Sequence, residues 1–318
     1  MIMTLQQLYY ALALKKTGSF IQAAKQTGIS QPGLSAQIKK LEEEVDFILF
    51  DRTKKKIEPT DRGIVFLDRA QLLLNEARQL RSLAEQLAQQ VSGTLRVGVI
   101  PTLAPYLLPL FINQLNTHYT NLKIRIKEAL TEEIIRDLRA GELDGGIIST
   151  PIQSKTSFTI LPLFYEPFKL FVSSNHPLFA KAEIQVEEIN PQDVWLLKEG
   201  NCFRDQVNNI CEVSRDREEQ ELFYFESNSI ESLCHIVEFK GGLTFLPELT
   251  TIYLDPDKED MVKELAGERR VREISLLHSP NHIRAPQLAE LAKIIMANIP
   301  KNLLKKSGAI AVPTRVQV

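Results

Sequence analysis

"SFIQAAKQTGISQPGLSAQIKKLEEEV", residues 19 to 45, decides the fold of the N-terminal part. Ser19 suits the N-cap of a short helix through "FIQAAKQT", and Gly28 supplies the tight turn after it. Ser30 caps the next helix, with Pro32 in its first turn, where a missing backbone N–H costs nothing. Along that helix Leu34, Ile38, Leu41 and Val45 form one apolar stripe, which leaves Gln31, Ser35 and Lys39 on the outward face. Upstream, Leu5, Leu8, Tyr9 and Leu12 recur at helical spacing until Gly18 closes the first helix. This pattern predicts a helix-turn-helix whose last helix enters the major groove of DNA. Gln31, with Pro32 and Ser35 beside it, would face base edges, while Lys39 and Lys40 are better placed for phosphate.

Next comes "FDRTKKKIEPTDRG", where Arg52, Lys54, Lys55 and Lys56 gather in a short hairpin or wing. Alone, such a run reads as a solvated lysine loop. Beside three helices it reads as a phosphate contact, so double-stranded DNA is the expected partner. The net charge of −2 gives no such signal for the chain as a whole, which confines the basic character to this region.

From Thr60 to about Val91 a long helical pattern carries Leu67, Ala70, Leu74, Ala77, Ala84, Ala88 and Val91 near three-four spacing, until Ser92-Gly93 breaks it. It predicts a linker helix that pairs with a second copy; the alternative is an amphipathic helix packed on its own domain. Beyond the break, "TLRVGVI", "LKIRIKEA" and "LDGGIIS" read as strands separated by the helical "LLPLFINQLNTHY" and "TEEIIRDLRAGE". A second series follows, with "PFKLFVSS", "VWLLKEG", "SIESLCHIVEFKGG" and "LTFLP". Alternating strands and helices predict an α/β domain on a parallel sheet, in two subdomains with a cleft between them. Thr102 and Asn201-Cys202 fall at expected C-terminal strand ends, where ligands of such sheets lie.

With 318 residues, 44% of them hydrophobic and 25% charged, the chain can build two or three cores. The boundaries read as residues 1–59 for a winged helix-turn-helix, 60–91 for the linker helix and 92–305 for the regulatory domain, with a tail at 306–318 that carries no reading. Within the regulatory domain, about 92–165 and 268–300 form one subdomain and about 166–267 the other. The N-terminal "MIMTLQQLYYALALKK" lacks a secretory pattern, and no apolar run reaches the roughly 20 residues of a membrane span. The expectation is a cytoplasmic protein without a membrane partner.

In that reducing setting the three cysteines need an explanation other than a structural disulfide. Two of them stand in "LLKEGNCFRDQVNNIC", residues 196 to 211. Cys202 has Arg204 and Asp205 beside it and precedes a helical pattern; a cation and a helix N-terminus both lower a thiol pKa. Cys211 sits among Ile210 and Val213, a setting that favours the neutral thiol. If the segment is helical, their Cα atoms are on the order of 12 Å apart, and a disulfide needs less than about 7 Å. Bond formation would therefore remodel the helix. Packed, inert cysteines are the alternative. Cys234-His235 has no compact zinc spacing with the pair, so neither a metal nor any other cofactor is expected. The alternating "LFYFESNS" reads as a core strand.

The stretches "AAKQTGISQPGLSAQIKKLEEEV" and "LFDRTKKKIEPTDRG" resemble the N-terminal signature of the LysR-type transcriptional regulators over about sixty residues. One departure is Asp46-Phe47, where the family usually has Leu-Gly. The resemblance implies that the linker helix pairs two DNA-binding domains, that the regulatory domain has the periplasmic binding-protein architecture, and that the chain is not an enzyme. "IPTLAPYLLP", "FYEPFKLFVSSNHPLF" and the cysteine-bearing stretch further resemble the peroxide-sensing branch of that family. By that resemblance Cys202 is the peroxidatic and Cys211 the resolving thiol, while Thr102, Asn201, Arg204 and Asp205 line a hydrogen peroxide pocket. Asn201 departs from the His usual in the branch and cannot titrate. The branch also implies an activator of oxidative-stress genes, a dimer assembling into a tetramer on an inverted-repeat site, RNA polymerase as a partner, and a thiol reductant such as glutaredoxin or thioredoxin. Two rivals stand beside this reading: a regulator answering to a small metabolite in the cleft, with inert cysteines, and a thiol peroxidase, against which the N-terminal pattern argues.

Overall fold

Local capping chemistry builds the N-terminal part. Helix α1 (Leu5–Thr17) opens on a capping box, in which the Thr4 hydroxyl accepts from the Gln7 N–H and the Gln7 side chain accepts from the Thr4 N–H. Gly18, at φ 63°, closes it. Helix α2 (Phe20–Thr27) runs from Ser19 to Gly28, and α3 (Gln31–Val45) starts at Ser30, whose Oγ accepts from the Gly33 N–H. Leu34, Ile38 and Leu41 are fully buried with Leu8, Ala11, Leu14 and Ala23, and Val45 packs at the edge of that core. Asp46 ends α3 in the left-handed conformation at φ 57°, which a short polar side chain tolerates. Phe47 then packs edge-on against Phe66 at 5.8 Å between centroids, so the Asp46-Phe47 departure keeps the turn.

The wing strands β1 (Phe50–Asp51) and β2 (Glu58–Pro59) pair antiparallel. Helix α4 (Asp61–Leu87) follows, with the Thr60 hydroxyl accepting from the Gly63 N–H. A Cβ at Gly63 would stand 2.1 Å from the Leu49 carbonyl oxygen, so close backbone contact demands glycine there. The expected pairing seam needs correction. Leu67, Ala70 and Leu74 turn inward onto this unit's own core, because α4 packs on α1. The large apolar side chains left in solvent are Ile64, Val65, Leu72, Leu73, Leu80 and Leu83. Ala77 is half-buried, and the side chains of Ala84, Ala88 and Val91 lie outside what is described.

The structure is a computed structural model that describes residues 3–53, 56–87, 93–118, 122–152, 158–211 and 225–314. It divides into two compact units, residues 1–90 and 91–318. In the second unit β3 (Gly93–Val99) lies parallel between β4 (Leu122–Glu128) and β5 (Gly145–Thr150), with α5 (Ala104–His118) and α6 (Thr131–Arg139) as crossovers. The remaining elements are β6 (Thr159–Val172), β7 (Glu183–Ile184), β8 (Val194–Trp195), α7 (Cys202–Cys211), α8 (Ile230–Lys240), β9 (Leu243–Pro247), β10 (Val262–Leu265), β11 (Arg270–His278), α9 (Ala285–Asn298) and β12 (Ile310–Ala311). The sheet is mixed, not parallel: β11 runs antiparallel to both β5 and β6.

Strand β6 is longer than its apolar pattern suggests. Thr159–Pro167 pair with β11, and Phe168–Val172 pair with β9. The change of partner falls between Pro167 and Phe168, inside one continuous strand. The expected strand "VWLLKEG" shortens to Val194–Trp195, after which the Lys198 N–H donates to the Ser227 carbonyl. The expected core strand "LFYFESNS" is absent from its described part: residues 225–229 are irregular, and Leu222, Phe223 and Tyr224 lie outside the described residues.

Candidate functional site

Cys202 is the first residue of α7 and is 2% exposed. Burial pushes its thiol above the ordinary value, the reverse of the lowered pKa expected from sequence. The Thr131 hydroxyl, the Arg272 guanidinium and the Phe203 N–H oppose that shift, and the Asp205 carboxylate adds to it. Thr131, which opens α6, is 1% exposed, and among the described residues its hydroxyl makes no hydrogen bond of normal geometry. Asn201 caps α7: its Oδ1 accepts from the Phe203 N–H at 3.0 Å, while its buried Nδ2 has no partner among the described residues.

The cation beside the thiol is Arg272, not Arg204. Two residues along a helix correspond to a rotation of roughly 200°, so a side chain at 204 leaves the face that carries Cys202. The Arg204 guanidinium donates to the Leu197 carbonyl at 3.1 Å and lies 3.8 Å from Glu199. Arg272, on β11, is fully buried. Its Nε donates to Glu166 Oε2 at 2.7 Å, its Nη1 to Thr102 Oγ1 at 3.0 Å and its Nη2 to the Thr102 carbonyl at 3.1 Å. Its plane sits 5.3 Å from the Phe203 ring centroid. Glu166, on β6, also accepts the Leu249 N–H at 2.7 Å. Burial pushes the Glu166 carboxyl up, and the guanidinium beside it works against that shift.

Thr102, Thr131, Asn201, Cys202 and Arg272 therefore converge from the β3–α5 and β4–α6 connections, the start of α7, and β11. Thr102 already accepts from Arg272, which leaves its own hydroxyl proton free to donate. Arg272, Glu166 and Thr131 escaped the sequence reading. Glu166 and Arg272 each stand in an otherwise largely apolar strand, "FYEPFKLFV" and "RVREISLL", but Lys169, Arg270 and Glu273 stand in the same strands, so charge alone does not single the two out.

At the other end of α7, the Cys211 Sγ donates to the Val207 carbonyl at 3.4 Å and the side chain is half-buried against the core. Val213 lies outside the described residues. Nine helical steps place the Cα atoms of Cys202 and Cys211 about 13.5 Å apart and on opposite sides of the helix. Neither cysteine is in a disulfide. Cys234, buried in α8, is pushed up to about 12 by burial and by Glu238. Among the described residues no cluster of His, Cys, Asp or Glu could hold a metal.

In the N-terminal unit Gln31, Pro32 and Lys39 are exposed on α3 and Ser35 is half-buried. Arg52 is engaged in the protein itself: its Nη2 donates to Glu42 Oε2 at 2.6 Å and its guanidinium lies 5.4 Å from the Phe20 centroid. Glu42 Oε1 accepts from the Leu49 and Phe50 N–H groups, which ties the wing to α3. Lys56 is exposed, and Lys54 and Lys55 lie outside the described residues. No helix among the described residues is long and apolar enough to cross a membrane.

Fold and site together define a helix-turn-helix regulator with a thiol-bearing α/β sensory domain. Residues 5–64 match the family described as "Bacterial regulatory helix-turn-helix protein, lysR family", and residues 88–299 match "LysR substrate binding domain". The chain is similar to the "DNA-binding transcriptional dual regulator OxyR" of Escherichia coli K12, at 32% identity over 302 residues, 93% of this chain and 96% of that protein. It is 33% identical over 250 residues to the "Hydrogen peroxide-inducible genes activator" of Haemophilus influenzae, 79% of this chain and 82% of that protein. Among solved structures, the full-length OxyR of Pseudomonas aeruginosa with a cysteine-to-aspartate substitution aligns at a TM-score of 0.73 and 33% identity, over 93% of this chain and 95% of that one. A peroxide-bound cysteine mutant of Corynebacterium glutamicum OxyR aligns at 0.56 and 26%, over 93% and 94%. The chain belongs to the LysR family of transcriptional regulators and, within it, to the OxyR branch.

Proposed function

We propose that this protein senses hydrogen peroxide through reversible Cys202–Cys211 disulfide formation and thereby controls oxidative-stress genes. The observation that carries the reading is the buried thiol flanked by a buried guanidinium, two threonine hydroxyls and an unpartnered amide donor. A small polar molecule with two oxygens, each both donor and acceptor, matches that set. A metabolite with a carboxylate or ring gains nothing from the thiol. In the first step the Cys202 sulfur attacks one peroxide oxygen, the O–O bond breaks, and the thiol proton leaves with the other oxygen as water. Arg272 favours the developing thiolate; Thr102, Thr131 and Asn201 hold the oxygens. In the second step the Cys211 sulfur attacks the Cys202 sulfenic acid, the S–O bond breaks, and a second water leaves. Two thiols and one peroxide give a disulfide and two waters. Reversal draws two electrons from a thiol reductant of the glutaredoxin or thioredoxin type.

The signal leaves through remodelling of α7 and passes by subunit contacts to winged heads on an inverted-repeat site, where RNA polymerase is engaged. The exposed apolar residues of α4 supply the pairing surface with a second copy, and Gln31, Pro32, Ser35 and Lys39 the groove contacts, with the wing lysines on phosphate. The test is mass analysis with peptide mapping after about one equivalent of hydrogen peroxide. A Cys202–Cys211 disulfide that a dithiol reverses, and that Cys202→Ser abolishes together with the DNA response, is the expected result. Two free thiols, or Cys234 reacting as fast, would overturn it.

A further inference from the structure

Residues 309–314 run across the middle of the second unit as an extended strap. The Ile310 N–H donates to the Arg269 carbonyl and the Val312 N–H to the Val271 carbonyl, so β12 lies parallel on the start of β11, directly before Arg272. Farther on, the Thr314 N–H and hydroxyl both donate to the Pro151 carbonyl, just beyond β5. Between these two moorings the strap takes hold of α7. Gln206 Nε2 donates to the Val312 carbonyl at 2.6 Å, and Asn209 Nδ2 donates to the Pro313 carbonyl at 3.0 Å. Gln206 is fully buried, and its Oε1 accepts from Ser149 Oγ at 3.2 Å. Ala309, Val312 and Thr314 are buried as well, so the strap is an inner part of the fold.

Both gripped residues lie between the two cysteines. To bring Cα atoms from about 13.5 Å to less than about 7 Å, the turns that carry Gln206 and Asn209 must come apart. Both bonds to the strap depend on those turns. We propose that the strap is a clamp that holds α7 in its helical, dithiol form, and that forming the Cys202–Cys211 disulfide releases residues 312–314 from α7. The clamp opposes the second chemical step, attack of Cys211 on the oxidised Cys202, and so sets how long the sulfenic acid persists. This rests on the disulfide reading above.

The experiment is hydrogen–deuterium exchange on the full-length protein, comparing the dithiol form with the disulfide form made by peroxide. The amides of Val312 and Thr314 bond to the Val271 and Pro151 carbonyls, so they read the strap's two moorings, which loosen once the grip on α7 between them is lost; they are expected to exchange at least tenfold faster in the disulfide form. In parallel, Gln206→Met and the milder, exposed Asn209→Ala are followed by rapid-quench alkylation. Condensation of the sulfenic acid with Cys211 is expected to quicken about tenfold in Gln206→Met and severalfold in Asn209→Ala. Equal protection of 312–314 in the two forms, or unchanged condensation in a folded variant, overturns the clamp while leaving the disulfide intact. A native protein that forms no Cys202–Cys211 disulfide overturns the sensing reading, and the clamp with it.

Discussion

Replacing Arg272 with methionine keeps an apolar stem about as long as the arginine's methylenes and removes the guanidinium with its charge. In the folded protein this leaves Glu166 fully buried, with the Leu249 N–H as its one remaining hydrogen-bond donor among the described residues, and strips two hydrogen bonds from Thr102. Breaking one partner out of a buried ion pair costs about 3–5 kcal/mol. For a unit of 228 residues (318 − 91 + 1), each kcal/mol lowers Tm by about 2–4 °C, so the expected fall is roughly 6–20 °C. Adding Glu166→Gln removes the stranded carboxylate, and the double variant should regain at least about 1.5 kcal/mol over Arg272→Met alone. Urea unfolding of the four proteins in the cycle, at fixed pH and protein concentration, reads both numbers. A loss below about 1 kcal/mol in Arg272→Met, or a double variant weaker than the single one, would show that the pair does not hold the site together.

Three further outcomes follow from the same structure. Because burial raises the Cys202 thiol, its thiolate is a small fraction at neutral pH, and its rate with a neutral alkylating reagent should climb about tenfold per pH unit from 6 to 9; a plateau below pH 8 would refute this. Cys234, buried in α8 with its thiol pushed up to about 12, stands outside the proposed pair, so Cys234→Ala should leave the peroxide-dependent disulfide unchanged, as peptide mapping can check. Gly63→Ala drives a Cβ against the Leu49 carbonyl and should lower the melting temperature of the N-terminal unit and its DNA affinity together; full stability would mean the backbone can part there.

Legibility in the sequence followed the range of the interactions. The N-terminal helices were readable because Ser19, Ser30, Gly18 and Gly28 act on residues three or four positions away. Cys202, Thr102 and Asn201 were readable as a group because each stands where a strand or turn meets a helix. Arg272 was not, since its partners lie 106 and 170 positions away and nothing local distinguishes a buried strand arginine from an exposed one. The first part of the α4 stripe was read outward for a similar reason: an apolar stripe says that something covers it, and at Leu67, Ala70 and Leu74 the cover is this unit's own core, with α1 packed on α4. The tail failed most completely, because its short strand is defined wholly by the carbonyls of Arg269 and Val271 and the side chains of α7.

Strand β6 has a mechanical consequence. A two-lobed receptor closes like a book when thin, independent connectors form its spine. Here the spine is a pleated ribbon, since β6 passes unbroken from one lobe to the other and lies hydrogen-bonded along β11 up to Pro167. Folding that ribbon would shear its ladder and pull on Glu166 and Arg272, which are stitched across it. Jackknifing is thus the stiff coordinate of this molecule. Rewinding the ten-residue helix α7 leaves that ladder intact, and the proposed covalent trigger at the two ends of the helix acts along this second coordinate.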